Sequence, residues 1–206
     1  MSDRCQILGR RGRLSRRLSW WPWLIGPCAL GLLAGFGALG SVRPEVMRVI
    51  NGPAQAYPET VAPFLLAAAV TVYVVNSVVT RNPLSMILVG LSAALLCREI
   101  HFEWTHRGIY FMLAGVGIWA LAWRRRLKRP IRDSRHTSWL LATLWTYLLA
   151  FLVSRRAFRF VPGEQAVHSM LEEGLETVCH VMLIVTSLLA SWRRYPWTRG
   201  RKQAAS

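Results

Sequence analysis

Two short stretches of the chain combine a carboxylate with an imidazole at a spacing that suits chemistry. One is Glu103-Trp-Thr-His106 and the other is Glu176-Thr-Val-Cys-His180. On an α-helix, residues three or four positions apart lie on the same face, and helix bundles use carboxylate–histidine pairs of this kind to hold metal ions. We therefore predict that these four residues form one site for a divalent metal.

The ligand types suit several metals. Two carboxylates and two imidazoles are compatible with Zn, Fe or Mn. A bound ion would offset the repulsion between the carboxylates, and it could activate a water molecule for attack on a lipid ester, amide or phosphoester. Glu103 and Glu176 are the candidate catalytic residues. We expect no haem b on His106 and His180, because the adjacent glutamates would place charge against an apolar macrocycle.

Other polar residues flank the four predicted ligands. The ionisable ones that complete the predicted pocket are Arg98, Glu99, Arg107, Glu172 and Glu173. The uncharged ones that could line it are Tyr73, Asn76, Ser77, Thr146 and Tyr147. An alternative is that the arginines pair with glutamates at the same level and form a purely structural ion-pair network.

Apolar helices must position these residues, because 53% of the 206 residues are hydrophobic. A membrane helix needs roughly 20 apolar residues. Six stretches approach that length, and they are 21–40, 60–80, 85–104, 109–123, 138–154 and 170–191. We predict an all-α integral membrane protein, a bundle of about six transmembrane helices. Its single membrane domain covers 21–191, between a basic N-terminal segment (1–20) and a basic tail (192–206).

The distribution of charge predicts the orientation of this bundle. If both termini are cytoplasmic, nineteen of the 26 basic residues lie on the cytoplasmic side, as the positive-inside rule requires. The carboxylate–histidine cluster then lies in the outer half of the third and sixth spans, on the periplasmic side of a bacterial-type inner membrane. Residues 1–40 also resemble a signal peptide, whose removal would leave five spans in the same orientation.

The sequence excludes some partners and leaves others open. Although the formal charge is +16, no folded polar domain is present to bind nucleic acid, so the lipid bilayer is the expected partner. Gly31 and Gly35 lie four residues apart, which favours a close contact between helices of one chain. Protein partners cannot be named, and a homo-oligomer stays open.

Three functions other than a metal-dependent enzyme are compatible with the cluster. It could relay protons or bind a cation in a transporter or channel, because intramembrane carboxylates and histidines often serve such paths. It could also be the ion-pair network of an accessory membrane subunit. A site on only one side of the membrane fits an enzyme or receptor pocket better than a path through the membrane. The shared site requires the third and sixth spans to be neighbours at their outer halves.

Overall fold

The computed structural model describes residues 20–43, 45, 53–100, 105–128, 130–132, 134–157 and 164–192. These residues form seven α-helices and one 3-10 turn, and no strand occurs among them. The helices are α1 (Pro22–Val42), α2 (Pro53–Thr80), α3 (Pro83–Glu99), α4 (Thr105–Ala122), α5 (Arg124–Leu127), α6 (Ser134–Ser154) and α7 (Glu164–Leu188). The prediction of an all-α chain is therefore confirmed for the described residues.

Three of these helices, α1, α2 and α6, are long and apolar enough to cross a membrane. The other predicted spans fall on α3, α4 and α7, which are shorter or more polar. Helix α3 has 17 residues and is about 25 Å long at the usual rise per residue. Helix α7 has 25 residues but carries Glu172, Glu173 and Glu176 in its sequence.

The predicted third span, 85–104, corresponds to α3, and its last four residues, 101–104, lie outside the described residues. Helix α3 ends at Glu99, and Ile100 caps it, while α4 begins at Thr105. Helix α4 has 18 residues and starts four residues before the predicted fourth span, 109–123.

Local sequence explains the sharp turn between α2 and α3. Arg81 adopts a left-handed backbone conformation, with a φ of 52°, which ends α2. The Asn82 side chain accepts a hydrogen bond from the Leu84 amide, and Pro83 occupies the first position of α3. Both are favourable residues for the start of a helix. The end of the bundle with this turn is called the turn end, and the opposite end, with Glu99, is called the far end.

Helix α7 lies at the centre of the bundle and packs against α1, α2 and α6. Helix α3 packs against α2 and α4, and α4 lies at the edge. The largest core cluster joins Leu66, Ala69 and Tyr73 of α2 with side chains of α3 and with Leu183 of α7. The α3 residues in this cluster are Leu84, Ile87 and Leu88.

Helices α1 and α6 approach each other closely at a glycine. A Cβ atom added at Gly26 would lie 2.6 Å from the Thr146 hydroxyl oxygen, so no larger residue fits without a shift. The predicted intramolecular contact through Gly31 and Gly35 is wrong for the part of the chain that the structure describes, because no atom of that part lies within 4 Å of a Cβ atom at either position. Those two glycines face outward, while Gly26 faces α6.

Replacing Gly26 with alanine is expected to lower the free energy of unfolding by about 1–3 kcal/mol, because the added methyl overpacks the helix contact. Thermal unfolding in detergent, followed by circular dichroism, measures this loss. Removing the Thr146 side chain in the same protein (Gly26→Ala with Thr146→Ala) should restore part of it. The matched control is Gly31→Ala, which has open space around it. Equal losses at both glycines would contradict the packing described here.

Candidate functional site

Helices α3 and α7 are joined near the far end by an ion pair. The Arg98 Nη2 atom donates a hydrogen bond to Glu176 Oε1 at 2.5 Å. The Arg98 side chain is 46% exposed, whereas that of Glu176 is 17% exposed. The pair therefore lies at the edge of the bundle interior, with the guanidinium facing outward and the carboxylate facing inward.

Negative charge exceeds positive charge around this pair. Glu99 and Glu172 are both close enough to Arg98 to interact with its positive charge. Glu172 also lies 3.6 Å from the Nε2 atom of His168, one turn earlier in α7. Three carboxylates thus surround one guanidinium.

A buried imidazole and a phenol lie one turn deeper than the ion pair. His180 follows Glu176 by four residues, and it is 2% exposed. Its ring centroid lies 6.0 Å from that of Tyr147, on α6. The His180 Nδ1 atom and the Tyr147 hydroxyl are buried, and neither has a hydrogen-bond partner among the residues that the structure describes.

Unpartnered buried polar atoms are costly, at about 1–3 kcal/mol each. Folded proteins satisfy nearly all such atoms, and the exceptions commonly mark catalytic groups or positions taken by water or an ion. Arg98 is close enough to His180 to affect its charge, and it interacts in the same way with Tyr147. The imidazole, the phenol and the ion pair therefore form one polar site, which is called the far-end site.

The structure brings together several of the residues that the sequence singled out. Arg98, Glu176 and His180 belong to the far-end site, and Glu99 and Glu172 lie beside it, close enough to Arg98 to interact with its charge. Glu173 lies on the same helix and is half-buried. Glu103 lies outside the described residues, as do the side chains of His106 and Arg107. Glu103 and His106 share a face with Glu99 only if the helix that contains Glu99 continues past them, and α3 ends at Glu99.

The metal prediction concerns four ligands, of which Glu176 and His180 are described. Within the described ranges, no group of three or more His, Cys, Asp or Glu side chains is arranged to hold a metal ion. The arrangement that is described combines a carboxylate, an imidazole, a phenol and a guanidinium. These groups can exchange protons and can bind an anionic or polar group of a ligand.

Sequence reasoning missed one residue of this region, and it ranked another too low. His168 precedes Glu172 by four residues, so the helical spacing that identified Glu176 and His180 also identifies it. Tyr147 is the residue ranked too low, because the sequence places it only among the uncharged residues that could line the pocket. Its contact with His180 depends on the register between α6 and α7, which one sequence does not reveal.

The uncharged residues predicted to line the pocket divide between the two ends of the bundle. Thr146 donates a hydrogen bond to the Ala142 carbonyl of its own helix, and Asn76 donates to the Ser191 carbonyl at the turn end. Tyr73 is fully buried in the core. Tyr147, whose ring lies beside that of His180, is thus the member of this group that belongs to the far-end site.

Comparisons of this chain with models of protein families, with curated proteins and with solved structures found no match. Its function therefore has to be inferred from the chemistry of the far-end site.

Proposed function

We propose that this chain is a multi-pass membrane protein of about six spans that performs acid–base chemistry on the polar part of a lipid-like substrate. The observation that carries the proposal is the buried, unpartnered Nδ1 atom of His180, which lies one turn from the ion pair of Glu176 and Arg98. The far-end site is the proposed active site.

The depth of the site supports a substrate that enters from the bilayer. Glu176 lies about 18 Å along α7 from Leu188, given the rise of an α-helix. The hydrocarbon core of a bilayer is about 30 Å thick. If α7 crosses it with Leu188 at one boundary, Glu176 and His180 lie inside the apolar layer. A molecule that reaches these two residues laterally from the bilayer has to be amphipathic.

The charge distribution supports the orientation and the location. Arg124, Arg125 and Arg126 follow α4 at the turn end, and Arg135 lies in the first turn of α6 at the same end. By the positive-inside rule the turn end is cytoplasmic. The far-end site then lies in the outer half of a bacterial-type inner membrane, on the periplasmic side.

The residues of the site suit hydrolysis of an ester, amide or phosphoester. His180 Nδ1 accepts a proton from a water molecule, whose oxygen forms a bond to the carbonyl carbon or the phosphorus. Arg98 stabilises the negative charge that develops on the substrate oxygen. The bond to the leaving group then breaks, and the leaving group takes the proton from His180. Glu176 positions Arg98.

A second candidate is the metal-dependent form of the same enzyme. The excess of carboxylates around Arg98 and the spacing of Glu176 and His180 on one helix face favour it. The predicted ligands Glu103 and His106 would complete the set for Zn, Fe or Mn. A transporter, a channel and an accessory subunit with a structural ion-pair network are the other candidates.

Lipid turnover in nanodiscs tests the proposal. We expect the purified protein to convert one class of lipid in a bacterial lipid extract, as measured by mass spectrometry against empty nanodiscs. Changing both members of the ion pair to amides (Arg98→Gln with Glu176→Gln) should reduce conversion by about 100-fold or more. Glu172→Gln is the control, because Glu172 does not form that pair, and it should keep most of the activity. An unchanged lipid profile with the wild-type protein would reject the enzyme.

A further inference from the structure

We propose that a groove between α1, α6 and α7 binds one acyl chain of an anionic phospholipid, whose headgroup lies beside Arg135 at the turn end. This lipid is distinct from the proposed substrate, and its binding does not depend on the chemistry of the far-end site. The evidence is the size of the groove, the chemistry of its walls and the charge at its mouth.

The groove is a cavity of about 220 Å³. Ile25 of α1, Trp139 of α6 and a stretch of α7 from Thr177 to Val185 line it. Helices α1 and α6 are two of the three helices that are long and apolar enough to cross a membrane. Val181, in the middle of the α7 stretch, is 45% exposed. The groove is therefore open laterally, at a depth where lipid chains surround a membrane helix.

The walls of the groove suit a hydrocarbon chain. The lining residues are apolar apart from Thr177, whose hydroxyl donates a hydrogen bond to the Glu173 carbonyl of its own helix at 2.8 Å. The Met182 thioether accepts a hydrogen bond from Thr146 at 3.5 Å. Both polar groups are thus occupied within the bundle. The groove presents methyl and aromatic surface to its occupant, and a hydrocarbon chain gains dispersion contacts with such a surface.

Size distinguishes a lipid chain from a protein helix as the occupant. Thr177 and Val185 lie about 12 Å apart along α7, and one leaflet of hydrocarbon is about 15 Å thick. The volume of the groove divided by that length gives a cross-section of about 18 Å². An α-helix with its side chains is about 10–12 Å across, which is far too wide. A second copy of this chain would therefore cover the groove without filling it.

The turn-end mouth of the groove has the residues of a membrane interface. Trp139 lies near the start of α6, and Trp21 packs edge-on against it, with ring centroids 4.8 Å apart. The Trp23 Nε1 atom donates a hydrogen bond to the Ser138 hydroxyl at 3.3 Å. Tryptophan is enriched at headgroup level in membrane proteins. The mouth therefore lies at the level of the headgroups, and the groove continues from it into the hydrocarbon layer.

Arg135 supplies positive charge at this mouth. It precedes Trp139 by four residues, so it lies on the same face of α6 and one turn nearer to the headgroups. Arg135 is exposed, and neither α1 nor α6 contains an acidic residue. A guanidinium can bind a phosphate group through two parallel hydrogen bonds, and basic residues beside a membrane attract anionic lipids. A headgroup with a net negative charge therefore matches this mouth better than a zwitterionic one.

Native mass spectrometry of the purified protein in detergent tests the headgroup preference. We expect one phosphatidylglycerol to bind about fivefold more tightly than phosphatidylcholine with the same acyl chains, since one basic residue near the surface contributes roughly this factor. Arg135→Gln should remove the preference. Arg124→Gln is the matched control and should keep it, because Arg124 is exposed at the same end but belongs to α5 rather than to a helix that lines the groove.

A second pair of variants tests the groove itself. Val181→Trp adds a large ring at a half-exposed position of the groove, so it should abolish one-to-one binding of either lipid. Val75→Trp is the control, because Val75 is similarly exposed, at 47%, but lies on α2. Circular dichroism of the lipid-free proteins should show the same helix content for both variants.

Equal affinity of the wild-type protein for the two lipids would overturn the proposal, as would binding that survives Val181→Trp. A lipid-free dimer that Val181→Trp disrupts would also overturn it and would assign the groove to a second copy of this chain. Recovery of the bound phosphatidylglycerol at its intact mass would support this site even if the nanodisc assay found no lipid conversion.

Discussion

Replacing Glu176 with alanine is expected to destabilise the bundle by about 2 kcal/mol. The change removes the carboxylate that accepts a hydrogen bond from Arg98 at 2.5 Å and leaves the guanidinium without its nearest counter-charge. Breaking a fully buried ion pair costs about 3–5 kcal/mol. We expect less here, because the Arg98 side chain is 46% exposed and two other carboxylates lie nearby.

A double-mutant cycle separates the pair from its surroundings. Arg98→Met should cost a similar amount to Glu176→Ala. The two changes together should cost less than their sum, because neither charge is then left alone. Unfolding in detergent, monitored by circular dichroism, gives the four free energies. Glu172→Ala is the control on the same helix, since the ion pair of Glu172 is with His168, whereas that of Arg98 is with Glu176. Strictly additive losses would show that the contact contributes no coupling.

The sequence predicted the helices well because apolar runs and helix length are local properties. Six apolar stretches were identified, and each coincides with one of the longer helices. The predicted third span runs to 104, whereas α3 ends at Glu99. Apolar content continues past Glu99 through Ile100 and Phe102, so composition alone marks no boundary there. The helix ends where the chain has to reverse toward α4, and that requirement comes from the rest of the bundle.

The site was predictable only within one helix. The spacing of Glu172, Glu176 and His180 is a property of α7 alone, and the structure places all three in or beside the far-end site. The sequence includes Arg98 among the arginines that could pair with a glutamate at this level, but it does not specify which glutamate. Arg98 is on another helix, and its contact depends on how far α3 and α7 slide past each other. The outward direction of Gly31 and Gly35 could not be predicted either. The spacing of the two glycines shows that they share one face of α1, but it does not show whether another helix packs against that face.

Replacing His180 with alanine is expected to reduce lipid turnover by about 100-fold or more, the usual contribution of a positioned general base. His180 is 2% exposed, so the change leaves a cavity close to Glu176 and Tyr147. A small base of the same shape can enter such a cavity. Added imidazole should therefore restore part of the lipid turnover of His180→Ala. It should not raise the turnover of the double variant Arg98→Gln with Glu176→Gln, which retains His180.

The metal content of the same two proteins distinguishes a base from a ligand. If His180 is the base, His180→Ala should purify with the same amount of divalent metal as the wild-type protein, measured by elemental analysis in detergent. If His180 is a ligand, wild-type protein should hold one Zn, Fe or Mn ion, and the variant should lose it, because a site loses affinity when an imidazole is removed. Loss of stoichiometric metal without rescue by imidazole would replace the acid–base mechanism with the metal-dependent one. Full turnover by His180→Ala would reject both, because in each of them this imidazole contacts the reacting water or the ion that activates it.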